Sequence, residues 1–377
     1  LVLDGLPRIS EQDAARLVRY ALKSGDVVFS RVGRVGSCFL ATKDQDGWII
    51  SGQTLRIRLP YDDLHPQYFL YALRDKEAQD FITGASVGTT RSSINTSILK
   101  SLPVRVPSYP EQVAIADILT TVDQAIEQTE ALIAKQRRIK AGLLHDLLTR
   151  GIDEHGRLRD PSTHRFKPSP VGLVPEEWEV KSIDEIAAFV GSGITPTGGS
   201  QVYGHEGILF IRSQNVYDDG LILDDVAYID ASINERMHRS QVLGNDVLLN
   251  ITGASIGRCC LVPASFPAAN VNQHVMIIRP IQERLRSRFL MYWLTSPNTQ
   301  DFILRTQSGA TRQALTKEQV QNLSVPLPPP NIQDYVVNYL DNIANEVSTM
   351  HSTLDEQDET LSKLEQSFLA QAFLGEL

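Results

Sequence analysis

Residues 88–91 read GTTR and residues 309–312 read GATR, 221 positions apart, each between an aromatic helix-like run and a proline-rich exit. A chain that repeats one segment order at a long fixed period folds as copies of one unit. At an offset of 220, LVLDGLPRIS (1–10) lies over LILDDVAYID (221–230), Asp26-Val27-Val28 over Asp246-Val247-Leu248, and Gly33 over Gly253. One inserted residue places Gly36 on Gly257 and Cys38 on Cys259 at 221. The offset returns to 220 for Gln53 on Gln273, Pro60 on Pro280 and Phe69-Leu70 on Phe289-Leu290. It is 221 again from Gln79-Asp80-Phe81-Ile82 over Gln300-Asp301-Phe302-Ile303 through Gln112 over Gln333. Residue 1 aligns with residue 221 while the second copy opens near Pro175, so the first copy is expected to be N-terminally truncated by the counterpart of about 175–220.

Each copy starts with β-branched runs broken by Gly, as in DVVFSRVGRVGSCFL (26–40) and DVLLNITGASIGRCCLV (246–262). Their alternation predicts a twisted, mostly antiparallel sheet. An amphipathic helix follows, then the GxTR turn, a short helix and the proline-rich exit. Beyond each exit an apolar seam at spacings of 3 and 4 marks a long helix. In the first it runs through Leu119, Val122, Ile126, Ile133 and Leu143; in the second through Leu340, Ile343, Val347, Leu354, Leu361, Leu364 and Phe368. Each seam is only a stripe, so each helix needs a partner, and an antiparallel pair keeps the two globular parts at opposite ends. The expected class is α+β: two globular α/β domains separated by two long helices pairing as an antiparallel coiled coil, with pseudo-two-fold symmetry from duplication. The expected division is domain 1 at 1–109, helix 110–150, linker 151–174, domain 2 at 175–330 and helix 331–377.

No apolar run approaches the ~18–20 residues of a membrane span, and no signal peptide opens the sequence. Three Cys, at 38, 259 and 260, form no CxxC pair, arguing against disulfides and structural zinc. A soluble, cytoplasmic chain is expected. The net charge of −9 argues at first against nucleic acid. Its distribution removes the objection: 331–377 carries one Lys against nine Asp and Glu, a local −8, whereas 1–109 is at +3. Screening confines a field to about 8–10 Å, so a distant acidic helix does not veto phosphate binding.

Nothing in the sequence reads as catalytic. GASIG (253–257) matches a nucleophile elbow, but an elbow needs a helix after Ser255 and a strand-like RCCLV follows; a turn with Gly at positive φ is the simpler reading. No phosphate-binding loop, dinucleotide fingerprint, (N/D)PP(Y/F) methyl-transfer tetrapeptide or His ligand spacing occurs, so no catalytic residue, metal or cofactor is assigned. Polar and basic side chains in Gly-rich turns and on strands remain: Arg31, Arg34, Gln53, Thr54, Thr90 and Arg91 in the first copy, and Ser213, Gln214, Asn215, Arg258, Asn272, Gln273, His274, Thr311 and Arg312 in the second. Gly admits close backbone approach, Arg pairs with phosphate or guanine, and Asn or Gln pairs with adenine. As a set recurring in two copies they suit double-stranded DNA.

The order of these segments resembles the specificity subunit of Type I restriction-modification systems. The resemblance rests on GLVPEEWEVKSIDEIA (172–187), GDVVFSRVGRVG (25–36), GNDVLLNITGASIG (244–257), the exits SLPVRVPSYPEQ (101–112) and LSVPLPPPNIQ (323–333), and the closing LLHDLLTRGI (143–152) and SFLAQAFLGEL (367–377). It implies a non-enzymatic subunit whose two target-recognition domains each read half of a split, asymmetric site. It implies as partners two modification subunits that methylate adenine at N6, and restriction subunits. S-adenosylmethionine, ATP and Mg would sit on those partners. Alternatives are a specificity module of a Type IIG-like or phage-exclusion methyltransferase system, a coiled-coil scaffold without a DNA role, and a hydrolase using Ser255.

Overall fold

The computed structural model describes residues 6–59, 63–85, 93–196, 198, 202–306 and 314–374. It divides into two units, 1–133 with 351–377 and 134–350.

Unit 1 opens with α1 (Glu11–Arg16), capped by the Ser10 hydroxyl accepting from the Asp13 amide. Then come β1 (Val27–Ser30), β2 (Cys38–Leu40) and β3 (Thr54–Ile57), an antiparallel sheet in the order β2-β1-β3. Three helices follow, α2 (Pro66–Arg74), α3 (Lys76–Ala85) and α4 (Thr96–Lys100), then the first part of the long α5 (Tyr109–Thr149), which runs on into unit 2. Pro66 starts α2, where its missing N–H costs nothing. Six consecutive residues of α2, Tyr68 to Leu73, are buried because the helix is covered on two sides. Phe69, Leu70 and Leu73 pack with Val27 and Phe29 of β1. Tyr68, Tyr71 and Ala72, one i, i+3, i+4 stripe on the other side, pack with Ile115, Ala116 and Leu119 of α5.

Unit 2 repeats this plan and enlarges it. Residues 151–174, expected as a linker, are folded: Ile152 bridges Leu158, and β4 (Phe166–Ser169) pairs with β5 (Gly172–Pro175) as a hairpin. Next are β6 (Glu179–Ser182), α6 (Ile183–Ile186), β7 (Ala187–Ser192), β8 (Ile208–Ile211), β9 (Val216–Tyr217), β10 (Gly220–Leu221) and β11 (Ala227–Ile229). After them come α7 (Ala231–Arg236), β12 (Gln241–Val242), β13 (Val247–Asn250), β14 (Cys259–Leu261), β15 (Ala269–Val271) and β16 (Val275–Pro280). The unit closes with α8 (Ser287–Thr295), α9 (Pro297–Thr306), α10 (Lys317–Gln321), β17 (Ser324–Leu327) and the start of α11 (Pro330–Leu374). The sheet β14-β13-β16-β7 is antiparallel throughout; the second, β11-β8-β15-β12, contains one parallel pair, β8 with β15.

Strand register corrects the repeat. Val27 faces Ile57 in unit 1 and Val247 faces Ile278 in unit 2, so β3 lies over β16 at 221, not at 220. Arg58 therefore matches Arg279, and both are ion-paired to a buried aspartate, Asp26 and Asp246. Helices α2 and α8 also superpose at 221, placing Phe69 on Leu290. Chance identities at Gln53, Pro60 and Phe69-Leu70 suggested the shift back. The turn glycines behave as expected: Gly36 and Gly257 have φ of 92° and 89°. A Cβ on either would lie 2.6 or 2.5 Å from Oε1 of Gln79 or Gln300. Those glutamines donate to the glycine carbonyls and to Leu73 and Leu294 at the ends of α2 and α8.

The long helices are antiparallel. In unit 2, Leu144, Leu147 and Leu148 near the end of α5 share a core with Val336, Val337 and Leu340 near the start of α11. In unit 1, Phe368 near the end of α11 packs against the cluster of Ile115, Ala116 and Leu119 near the start of α5. Of the expected seam, Leu119, Val122 and Leu340 are buried, and Ile126, Ile133, Leu143, Ile343, Leu354, Leu361 and Phe368 are half-buried. Leu364 is 42% exposed and does not belong to the seam, while the Val347 side chain lies outside the described residues. A two-residue-per-heptad stripe omits Leu144, Leu147 and Leu148, which are buried because α5 there meets the globular part of unit 2 as well as α11. No described helix is long and apolar enough to cross a membrane.

Candidate nucleic-acid interface

The Gly turns after β1 and β13 and the turns before β3 and β16 lie at one edge of each sheet, since antiparallel pairing brings those strand ends together. The Arg31 amide donates to the Gln53 carbonyl, and the Ile251 amide to the His274 carbonyl. The chain beyond each GxTR turn reaches the same edge, where Ser93 bridges Val32 and Ala314 bridges Thr252. Thr90, Arg91, Thr311 and Arg312 themselves lie outside the described residues.

In unit 1 this edge presents Arg34 and Gln53, both exposed. Arg31 is half-buried, and its Nε has no hydrogen-bond partner among the described residues. Thr54 is spent locally, its hydroxyl donating to the Ser51 carbonyl at 3.1 Å. In unit 2 a polar chain crosses three strand ends. The Thr195 hydroxyl donates to Gln273 Oε1, and Gln273 Nε2 lies 2.8 Å from His274 Nε2. His274 Nδ1 lies 2.7 Å from the Thr252 hydroxyl. A glutamine amide donating to Nε2 requires the Nδ1–H tautomer, so His274 donates to Thr252. An isolated Thr such as Thr195 or Thr252 carries no signal in the sequence until strand pairing places it.

Two expected contact residues are structural instead. Asn215 is 2% exposed: its Oδ1 accepts from the Arg212 amide and its Nδ2 donates to the Ile222 carbonyl, closing a turn. Asn272 is 8% exposed, and its Oδ1 accepts from the His274 amide. Short amides satisfy turn backbones, which competes with any outward role. Gln214 is exposed but donates to Asp225 at 2.9 Å, and the Ser213 carbonyl accepts from Asn250. The Arg258 guanidinium stacks 4.7 Å from the ring centre of Tyr217, which leaves its edge for an acceptor.

Residues 253–255 form a short 3-10 turn leading straight into β14, and the Ser255 hydroxyl accepts from Asn250 Nδ2 at 3.2 Å. No elbow helix follows it. Burial pushes the Cys260 thiol up to about 12 and the Cys259 thiol well above its usual range; Asp218 adds to both, after Cys260 in the case of Cys259. No cluster of metal-ligating groups occurs among the described residues. An open cleft of about 680 Å³ lies near Asp153, His155, His164 and Glu177, where Arg159 pairs with Glu177 and Arg165 with Glu176.

Residues 8–135 and 175–357 match the model of the Type I restriction modification DNA specificity domain. The chain belongs to that family. Its two matched segments fall on the two copies of the repeat. Among the family's curated members, the putative type I restriction enzyme MjaX specificity subunit of Methanocaldococcus jannaschii is 26% identical over 327 residues, 85% of this chain and 71% of that one. The type I restriction enzyme EcoBI specificity subunit of Escherichia coli is 24% identical over 337 residues, 87% and 69% respectively. A structure solved for complex assembly and conformational transition of the type I R-M system superposes with a TM-score of 0.61 at 22% identity, covering 95% of this chain and 83% of its own. The S subunit of a Type-I restriction-modification system from M. genitalium gives 0.51 at 18% identity, covering 94% and 84%. These superpositions carry the fold.

Proposed function

We propose that this chain is the DNA-reading, non-catalytic subunit of a Type I restriction-modification complex. Each unit reads one half of a bipartite, asymmetric site and directs adenine-N6 methylation or restriction by its partners. The observation that carries this is the doubled edge: equivalent backbone presents Arg31, Arg34 and Gln53 in one unit and Thr252, Arg258, Gln273 and His274 in the other. A shared frame with different side chains is what two half-sites of different sequence require. Gln273, His274, Gln214 and Arg258 are the proposed base-facing groups of unit 2, and Arg34 and Gln53 those of unit 1. Arg91 and Arg312, the same residue in both copies, suit the phosphate, which is the same in every sequence. Two modification subunits fit the duplicated surface, and the acidic segment 331–377 suits a basic protein face rather than DNA.

Replacing 171–330 by the matching segment of another family member, followed by methylome sequencing, is expected to change one half of the methylated motif. A change in both halves overturns the assignment. Arg312→Ala is expected to weaken duplex binding of all sequences alike and to lower the salt slope by about one, leaving the motif intact.

A further inference from the structure

Tyr71 and Tyr292 hold the same place on α2 and α8, and each hydroxyl ends on a carboxylate of the long helix that follows. Tyr292 donates to Asp341 Oδ1, and Arg288 Nε donates to the same oxygen at 2.6 Å. Tyr71 donates to Asp123 Oδ2 at 2.9 Å, and Arg74 Nη1 donates to that oxygen at 3.2 Å. The three groups are alike, yet two of them come from different positions. In the register of the repeat, Asp341 matches Thr120 and Arg288 matches Gln67, whereas Asp123 matches Ala344 and Arg74 matches Thr295. Unit 1 still holds the other arrangement's places around its tyrosine: the Tyr71 hydroxyl is 3.4 Å from the Thr120 hydroxyl, and Gln67 hydrogen-bonds it.

A contact that merely fills space would leave no reason for acid and arginine to move together. Here the acid lies one helical turn further along in unit 1 and the arginine has crossed to the other side of the tyrosine, so the pair stays matched. The position of the contact explains what it does. The buried Gln112 and Gln333 form a first anchor, accepting from the His65 and Arg286 amides that start α2 and α8. Asp123 is 11 residues beyond Gln112 and Asp341 is 8 beyond Gln333, so the second anchor lies about 16 or 12 Å further along the helix. The glutamine anchor and the apolar contacts beside it hold each globular part near the start of its long helix; the second anchor extends that hold along the helix and fixes the angle. Helices α2 and α8 are packed to the sheets, so the sheet edge turns with them.

We infer that the two Tyr–Asp–Arg triads are orientation locks, positioning residues that fix each reading edge on its long helix and thereby set how strictly the spacing between half-sites is read. This rests on the DNA-reading assignment above. The test uses the chain assembled with its modification subunits and duplexes carrying its methylated motif with the unspecific gap at its natural length, one base pair shorter and one longer. Tyr292→Phe, which removes a single hydroxyl, and Asp123→Asn are each expected to lower discrimination against the wrong gaps by about tenfold, the scale of one charge-assisted hydrogen bond. The half-site bases should not change. Rebuilding unit 2's arrangement in unit 1, Gln67→Arg with Thr120→Asp and Asp123→Asn, is expected to restore the sharp profile. An unchanged gap profile in both single variants, equal weakening at every gap, or no rescue overturns the lock. If the unaltered complex shows no sequence-specific binding at any gap, the DNA-reading assignment itself has failed.

Discussion

Strands β3 and β16 occupy the same place in the two units, but β3 is half-buried throughout and β16 is buried at five of its six residues. The difference is coverage. In unit 2, β7 pairs with the far side of β16, and the second sheet packs over the first through Leu209, Ile211 and Val271. Among the described residues of unit 1, β1 alone pairs with β3. Residues that lie under cover in unit 2 stand open in unit 1: Ile229 is 1% exposed and its counterpart Ile9 50%, Ser240 is 4% and Tyr20 38%. Over the described residues, the two copies thus differ in how much apolar surface each removes from water, unit 2 removing more.

The sharpest way to break that comparison is at the feature the units share most closely. Asp246 is buried, paired to Arg279 at 2.7 Å, and accepts from the Leu243 amide at 2.7 Å. Asp26 repeats this with Arg58 and the Lys23 amide. Asp246→Ala strands a guanidinium and a backbone donor and is expected to cost about 4 kcal/mol. Asp26→Ala should cost less, about 3 kcal/mol, since the Arg58 side chain is 42% exposed against 29% for Arg279. Chemical denaturation followed by hydrogen exchange assigns each loss to its unit. A larger loss for Asp26→Ala would reverse the proposed order.

Deleting core volume gives the next effect. Ile278 is fully buried and its counterpart Ile57 half-buried. Ile278→Ala is expected to cost about 3 kcal/mol and Ile57→Ala about half of that. Trp178 and Trp293 are buried in unit 2 while Trp48 of unit 1 is 37% exposed, so tryptophan emission chiefly reports unit 2. Equal costs would mean that β3 is covered as well as β16.

Much of this architecture was legible in the sequence because duplication writes the same period twice. The helix pair, the antiparallel sheets and the Gly turns each follow from a local pattern. What stayed hidden depends on partners distant in sequence. The offset at Gln53 and Phe69 could be settled only by pairing, since a side chain's identity does not say which residue faces it. Asn215 and Asn272 read as outward amides because nothing local shows that a buried turn has claimed them. The seam at Leu144, Leu147 and Leu148 widened because α5 there has two neighbours, and a one-partner stripe cannot predict the second. Leu364 fits the spacing yet lies outside the buried stripe.

The smallest expected effect appears above pH 9 and separates the units by their acids. Cys259 and Cys260 of unit 2 are held neutral by burial, with nearby Asp218 opposing ionisation further. In unit 1, burial raises Cys38 while Arg74 opposes the shift, and burial also pushes Tyr68 up to about 12. An acid whose folded pKa is raised binds its proton more tightly in the fold, so its stabilisation is complete below the unfolded value and is lost as pH climbs towards the folded one. Thiols unfold into a pKa of about 8.5 and tyrosines into about 10. Unit 2 should therefore begin to weaken near pH 9, by up to about 1.4 kcal/mol per thiol for each pH unit. Unit 1 should weaken less there, because it has one raised thiol, Cys38, and Arg74 opposes its shift; above pH 10 raised tyrosines add to the loss in both units, Tyr68 and Tyr71 in one and Tyr292 in the other. Melting followed by hydrogen exchange from pH 8 to 11 separates the two losses, and Cys259→Ala with Cys260→Ala should flatten unit 2 between pH 9 and 10. Alkylation at pH 8 offers a second measure, with Cys38 labelled before either thiol of unit 2. Prompt labelling of Cys259 in the folded chain would show that β14 opens more readily than its burial implies, and the ranking of the units would then fail at its best-packed strand.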